Sequence, residues 1–264
     1  MPNIMYHFVG CDENLKGISL ERFRAQLDFL QRIYAQDEIV LTFDHGTIDH
    51  IEIAAPELEA RGLKGVFFPL TMIQEERRVP SVDKQRRLEA VFRTDLARML
   101  CAELGREYQP VSARRYLAEF RFYSPEERYL RYLRDQCVPA DVYEGFVGKH
   151  FARVFGAEED FVARQYLSWH HIEELHERGH IIGSHSHCHH GDKKDFERSL
   201  TAIEKRIHEK PRYVSYPNGV KTISDEDLKD LGIEKGYLSS EQAAGPYRAA
   251  RIDCSQICEV EVGS

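Results

Sequence analysis

Short apolar runs alternate with longer stretches of helical period along most of the chain. Ile4 to Val9 reads as a strand, and after a glycine-containing loop Ser19 caps a helix on which Leu20, Phe23, Leu27 and Leu30 recur at helical spacing. Glu38 to Phe43 reads as a second strand, a helix through Ala54 to Arg61 stops at Gly62, and Gly65 to Phe68 reads as a third strand. From about 72 to 166 the pattern becomes helix after helix. Leu88, Val91, Phe92, Leu96, Met99, Leu100 and Leu104 mark one amphipathic face, and Ser124-Pro125-Glu126-Glu127 is a capping box with proline at the first helical position. Ser168 then caps a helix to Arg178 that Gly179 ends, and the alternation resumes. Strand His180 to Ser184, helix Lys194 to Lys210, strand Arg212 to Tyr216, a helix capped by Ser224, and strand-like Gly236 to Leu238 and Arg251 to Asp253 follow. This order predicts an α/β fold on a largely parallel sheet, open or closed into a barrel, as a single domain over 1–264 with a helical insertion over about 72–166.

Composition narrows the function classes. With 42% hydrophobic and 30% charged residues in 264, the chain has the balance of an ordinary globular protein. Its longest apolar stretch, Gly65 to Ile73, is broken by Pro69 and Thr71 and falls short of the roughly 20 residues that span a bilayer, so no transmembrane segment is expected. The start of the chain lacks a basic leader, and Asp12 and Glu13 precede any apolar core, which predicts a cytoplasmic location. Lys plus Arg number 36 against 44 Asp plus Glu, a net charge of −8 that disfavours nucleic acid as a partner. The six cysteines are scattered and read as free thiols; Cys254 and Cys258 are spaced C-x-x-x-C with no second pair to complete a zinc ribbon.

The 13 histidines are the unusual component, and five of them fall between His180 and His190. Three segments stand at the C-terminal ends of predicted strands, where parallel α/β folds place their sites: Thr42-Phe43-Asp44-His45-Gly46, His185 to His190, and Tyr216-Pro217-Asn218-Gly219. On a helical turn, His185 and His189 would share a face and reach one ion. His45 offers a third nitrogen, with Asp44 beside it as a carboxylate able to take a proton from an attacking water. Three nitrogens favour Zn2+ over magnesium or calcium. The alternative is that each is a hydrogen-bonded histidine at a strand end.

In this order the segments resemble the polysaccharide deacetylases of carbohydrate esterase family 4, which carry T-F-D-D-G, then H-[ST]-x-x-H, then a P-Y-G-type loop. The flanks Tyr6-His7, Lys64 to Phe68 and Gly179 to Ser184 fit as well. The resemblance implies a distorted (β/α) barrel and metal-dependent removal of an acetyl group from a sugar. It makes Asp44 the catalytic base, His185 and His189 metal ligands, the Asn218 backbone N–H an oxyanion donor, and Arg251-Ile252-Asp253 the element that orients the base.

Three positions depart from that pattern. His45 stands where the family has a second aspartate, so the metal set becomes His45, His185 and His189. Ser215 replaces the arginine often found before the proline loop, with Arg212 three residues earlier. No L-x-H follows Asp253, leaving His187, His190 and His7 as candidates for the general acid. The function expected is a cytoplasmic metal-dependent N-deacetylase in surface-polysaccharide assembly, such as lipopolysaccharide O-antigen, acting on a nucleotide-linked or lipid-linked acetylated sugar. The altered positions also suit a non-catalytic sugar-binding protein on the same scaffold, and hydrolysis of a non-sugar amide is a further alternative.

Overall fold

The computed structural model describes residues 2–10, 15, 17–118, 123–239 and 245–257. In chain order it contains β1 (Asn3–Tyr6), α1 (Leu20–Ile33), β2 (Val40–His45), α2 (Ala55–Glu59), β3 (Gly65–Pro69) and α3 (Thr71–Glu76). Helices α4 (Ser81–Phe92), α5 (Asp95–Glu103), α6 (Pro125–Tyr132), α7 (Ala140–Phe155), α8 (Glu158–Gln165) and α9 (Trp169–Glu177) come next. The chain continues through β4 (Ile181–Ile182), α10 (Lys193–Ile207), β5 (Tyr213–Ser215), α11 (Asp225–Asp230), β6 (Lys235–Tyr237) and β7 (Ile252–Asp253). Two compact units result, one from 1–80 with 159–264 and the other from 81–158.

In the first unit all strand pairs are parallel, in the order β4-β3-β2-β1-β7, with β5 and β6 as a separate pair. Single bridges connect the two sheets: Ser184 with Val214, and Tyr237 with Ala249, two residues after which the chain continues as Arg251 and β7. The five ladders and these two one-residue seams are all parallel. Gly183 permits one seam, since a Cβ there would lie 2.4 Å from the Phe68 ring and 2.7 Å from the Tyr213 carbonyl.

Strand alternation sorts core from site. Leu41 and Phe43 point to the helices, where Phe43 stacks between Tyr6 (5.3 Å) and Phe67 (4.8 Å) on the adjoining strands. Such aromatic pairs add about 0.5–1.5 kcal/mol each beyond area burial. Thr42 and Asp44 take the opposite face. The caps follow the sequence reading, with Ser19, Ser124, Ser168 and Ser224 each accepting a backbone N–H in the first turn of its helix.

The second unit packs Leu88, Leu96, Leu100, Leu130, Val147 and Phe151 into its interior. Among its buried polar groups Arg131 pairs with Glu89 at 2.7 Å, and the Gln85 side-chain carbonyl accepts from Tyr143 (2.7 Å) and Arg134 (3.0 Å). The single amphipathic face expected over Leu88 to Leu104 is two helices, α4 and α5. They break at Arg93, whose φ of 51° is incompatible with a continuing helix. Val91 accordingly is half exposed.

Candidate metal and acid–base site

β2 delivers two side chains at its C-terminal end. Asp44 extends the inward alternation, whereas His45 has φ 75° and Gly46 φ 74°, so the backbone turns sharply as the strand stops. Histidine tolerates the left-handed region better than most residues. A Cβ at position 46 would also meet the Pro69 backbone at 3.1 Å, which is why glycine follows the histidine.

His185 lies three residues past β4, and its N–H donates to the Pro69 carbonyl at 3.2 Å, which fixes it beside β3. The helical turn expected to align His185 with His189 is absent. Residues 183–191 instead form an irregular loop in which Ser186 and His189 take φ 71° and 69°, and this loop brings the two rings to 5.0 Å. The His45 ring stands 4.9 Å from His185 and 5.4 Å from His189. Each of the three offers a ring nitrogen, and these atoms lie within 4.8 Å of one another.

The donor set fits a divalent ion. Tetrahedral zinc with bonds of 2.0–2.1 Å needs nitrogens about 3.3 Å apart, which side-chain rotations can supply from this spacing. Burial pushes the His185 imidazole down to about 4, against the opposing pull of Asp44, so it is neutral at physiological pH. Its Nδ1 donates to the Ser215 carbonyl at 2.9 Å, which leaves the Nε2 lone pair facing the cluster. Three imidazole nitrogens suit zinc better than the oxygen-seeking magnesium or calcium.

Asp44 is 1% exposed and both its oxygens accept hydrogen bonds. Oδ1 receives Arg251 Nη1 at 2.8 Å, and Oδ2 receives the Ser215 hydroxyl at 3.0 Å. Burial alone would raise this carboxyl, but the Arg251 guanidinium, seconded by His185, outweighs it and holds Asp44 well below the usual carboxylate range. Arg251 is itself fully enclosed, donating also to the Leu238 carbonyl, Thr42 Oγ1 and Ser239 Oγ. A cation thus reaches Asp44 from the β7 side, while Ser215 at the end of β5 adds a neutral donor.

The structure brings together Asp44, His45, His185, His189 and Arg251. It places Asp253 elsewhere: that carboxylate accepts the Ser255 N–H and hydroxyl and caps the turn Cys254–Gln256. Asn218 has φ 56° in the turn Pro217–Gly219, three residues after Ser215, which donates to Asp44. Among the candidate acids, His187 is held by Thr71 Oγ1 (2.9 Å) and Glu76 (3.1 Å), and His190 faces the Cys188 sulfur (3.2 Å). The His7 ring is 5.3 Å from that of His45. Cys258 lies outside the described residues, so the C-x-x-x-C pair cannot be placed. Sequence reasoning saw Ser215 only as a missing arginine and did not see Asp195, whose carboxylate gathers the histidine loop; neither side chain has a local signature.

Residues 126–236 match the family model for polysaccharide deacetylase, a span that includes His185, His189, Ser215 and the proline loop. No curated protein matches the sequence. Solved structures of similar fold include three deacetylases. A de-N-acetylase from Aggregatibacter actinomycetemcomitans has TM-score 0.55 at 15% identity, covering 96% of this chain and 95% of its own. The Streptococcus pyogenes deacetylase PplD, in complex with acetate, gives 0.54 at 13%, covering 96% and 91%. IcaB from Ammonifex degensii gives 0.53 at 14%, covering 95% and 91%. In residues 126–236 the chain is thus similar to the polysaccharide deacetylase family, and its fold is similar to that of these three deacetylases.

Proposed function

We propose that the protein is a metal-dependent hydrolase that removes the acetyl group from an N-acetylated sugar. The observation that carries this reading is the convergence of three imidazoles beside a buried carboxylate whose two oxygens are both held. His45, His185 and His189 would hold the ion, with zinc the best match to the donors. Bound there, a divalent ion supplies Lewis acidity toward the acetyl carbonyl and eases deprotonation of the attacking water.

This chain's own groups account for the remaining steps. Asp44 accepts the proton of the attacking water, with Arg251 and Ser215 fixing the plane of its carboxylate. The Asn218 N–H, in the left-handed turn that follows β5, would donate to the developing oxyanion. His7, at the end of β1 and beside His45, donates a proton to the leaving amine.

The proposed setting is surface-polysaccharide assembly, lipopolysaccharide O-antigen included, on a nucleotide-linked or lipid-linked sugar. The cytoplasm is the compartment proposed; the free thiols of Cys101, Cys137, Cys188 and Cys254 support it. Among the described residues no helix is long and apolar enough to cross a membrane.

A second reading, sugar binding without turnover, draws on Asp44 being held so far down that it is a weak base. Acetate release from N-acetylated oligosaccharides, with and without added zinc, separates the two. Zinc-stimulated release that falls by on the order of 10²–10⁴ in Asp44→Asn, with zinc still bound, is the expected result. Binding of sugar without acetate release would overturn the hydrolase reading.

A further inference from the structure

The loop between β4 and α10 has an unusual task, since it must present two imidazoles to one point through two left-handed residues, Ser186 and His189. Backbone of that kind persists only where its surroundings over-determine it. Asp195, in the first turn of α10, supplies the determination. Its Oδ1 accepts the N–H groups of His187 (3.2 Å) and Cys188 (2.8 Å) and the Cys188 thiol (3.1 Å). Its Oδ2 accepts those of His190 (2.8 Å) and Gly191 (2.8 Å). Four backbone donors from one loop thus end on a single carboxylate that is 7% exposed.

Two further features hold that carboxylate in place. Asp192 caps α10 and accepts the Asp195 N–H at 3.0 Å, which sets the Asp195 side chain at the positive end of a 15-residue helix. A hydroxyl chain secures the loop from its other side: the His189 N–H donates to Ser186 Oγ (3.0 Å), the Ser186 N–H to Ser184 Oγ (3.0 Å), and Ser184 Oγ to Ser199 Oγ (2.7 Å). Ser199 lies one helical turn beyond Asp195, so both anchors come from α10.

We propose that Asp195 is a positioning residue of the metal centre, which curves the His185–Gly191 backbone so that His185 and His189 face one ion before the ion arrives. The inference rests on those histidines being metal ligands. Outer partners that orient ligands typically contribute 10- to 100-fold in metal affinity. Here the outer partner acts on the backbone of residues that flank the ligands rather than on the ligands' rings.

The full-length protein is tested with zinc alone by chelator competition and with cobalt by absorption spectroscopy, comparing the parent with Asp195→Asn and Asp195→Ala. Asparagine keeps the shape and one acceptor oxygen but turns an N–H₂ toward the loop donors, so it tests the positioning even where the alanine variant fails to fold. Expected are zinc affinity about 10- to 100-fold weaker in Asp195→Asn at unchanged circular dichroism, and altered visible cobalt bands, which report ligand geometry rather than fold stability. Parent-like zinc affinity and cobalt bands in folded Asp195→Asn would overturn the role of Asp195 while leaving the metal centre standing. A parent protein that binds neither ion would overturn the metal reading and this inference with it.

Discussion

Replacing Arg251 with methionine removes a guanidinium that is wholly enclosed and leaves Asp44 as a buried carboxylate without its counter-charge. Breaking a buried pair in this way costs about 3–5 kcal/mol, a large share of a total stability of about 5–15 kcal/mol. The penalty depends on pH. In the parent, Asp44 has a depressed folded pKa, so its contribution is present above the ordinary carboxylate value and is lost as pH falls through the folded value. In the variant, burial is no longer outweighed and the same carboxyl rises above its unfolded value, so the cost is full at neutral pH and fades on acidification. Urea unfolding of the metal-free proteins at about pH 7 and about pH 4.5 should therefore show the gap between parent and variant narrowing in acid. Asp44→Asn alone strands the guanidinium instead, whereas the double variant carries neither charge and should be more stable at neutral pH than Arg251→Met. An Arg251→Met protein within about 1 kcal/mol of the parent, or a double variant no more stable than it, would refute this account of the pair.

Three other outcomes are expected. His45→Ala should weaken zinc by more than the roughly 10- to 100-fold typical of losing an outer partner, and His45→Asp should retain a site with greater tolerance for manganese; equal zinc affinity in His45→Ala removes His45 from the ligand set. His7→Gln should lower kcat by about 10²–10⁴ with zinc content intact, and an unchanged kcat would exclude it as the acid. Gly183→Ala should cost about 1–3 kcal/mol in urea unfolding, because its methyl would collide with Phe68 and the Tyr213 carbonyl; a neutral result would mean that the seam can widen.

What the sequence made legible was local. The caps Ser19, Ser124, Ser168 and Ser224 were readable because a cap needs only its own first turn, and β1, β2 and β3 because their apolar runs are bounded by turns. Arg93 was not readable as a break, since an arginine at φ 51° carries no signature that glycine would have supplied. The i, i+4 histidine pair does come together, but by a different geometry: the rings meet because an irregular loop is held, not because a helix repeats. What holds it, Asp195, and what holds Asp44, Ser215, act through contacts whose partners only folding chooses. Arg251 and Asp253 looked equivalent as an R-x-D pair, yet one reaches inward to Asp44 while the other caps a surface turn.

The ion pair that fixes the base joins positions 207 residues apart. Closing a span of that length costs about 2 kcal/mol more chain entropy than closing one a tenth as long, so the pair depends on the parallel sheet already being assembled around it. During synthesis Asp44 leaves the ribosome long before Arg251 exists, and a partly made sheet would have to expose that carboxylate to water or keep it protonated. The inward face of β2 therefore disfavours premature closure. Competence is coupled to delivery of the last strand, so a chain truncated before Arg251 would lose the anchored base together with the strand that flanks β1.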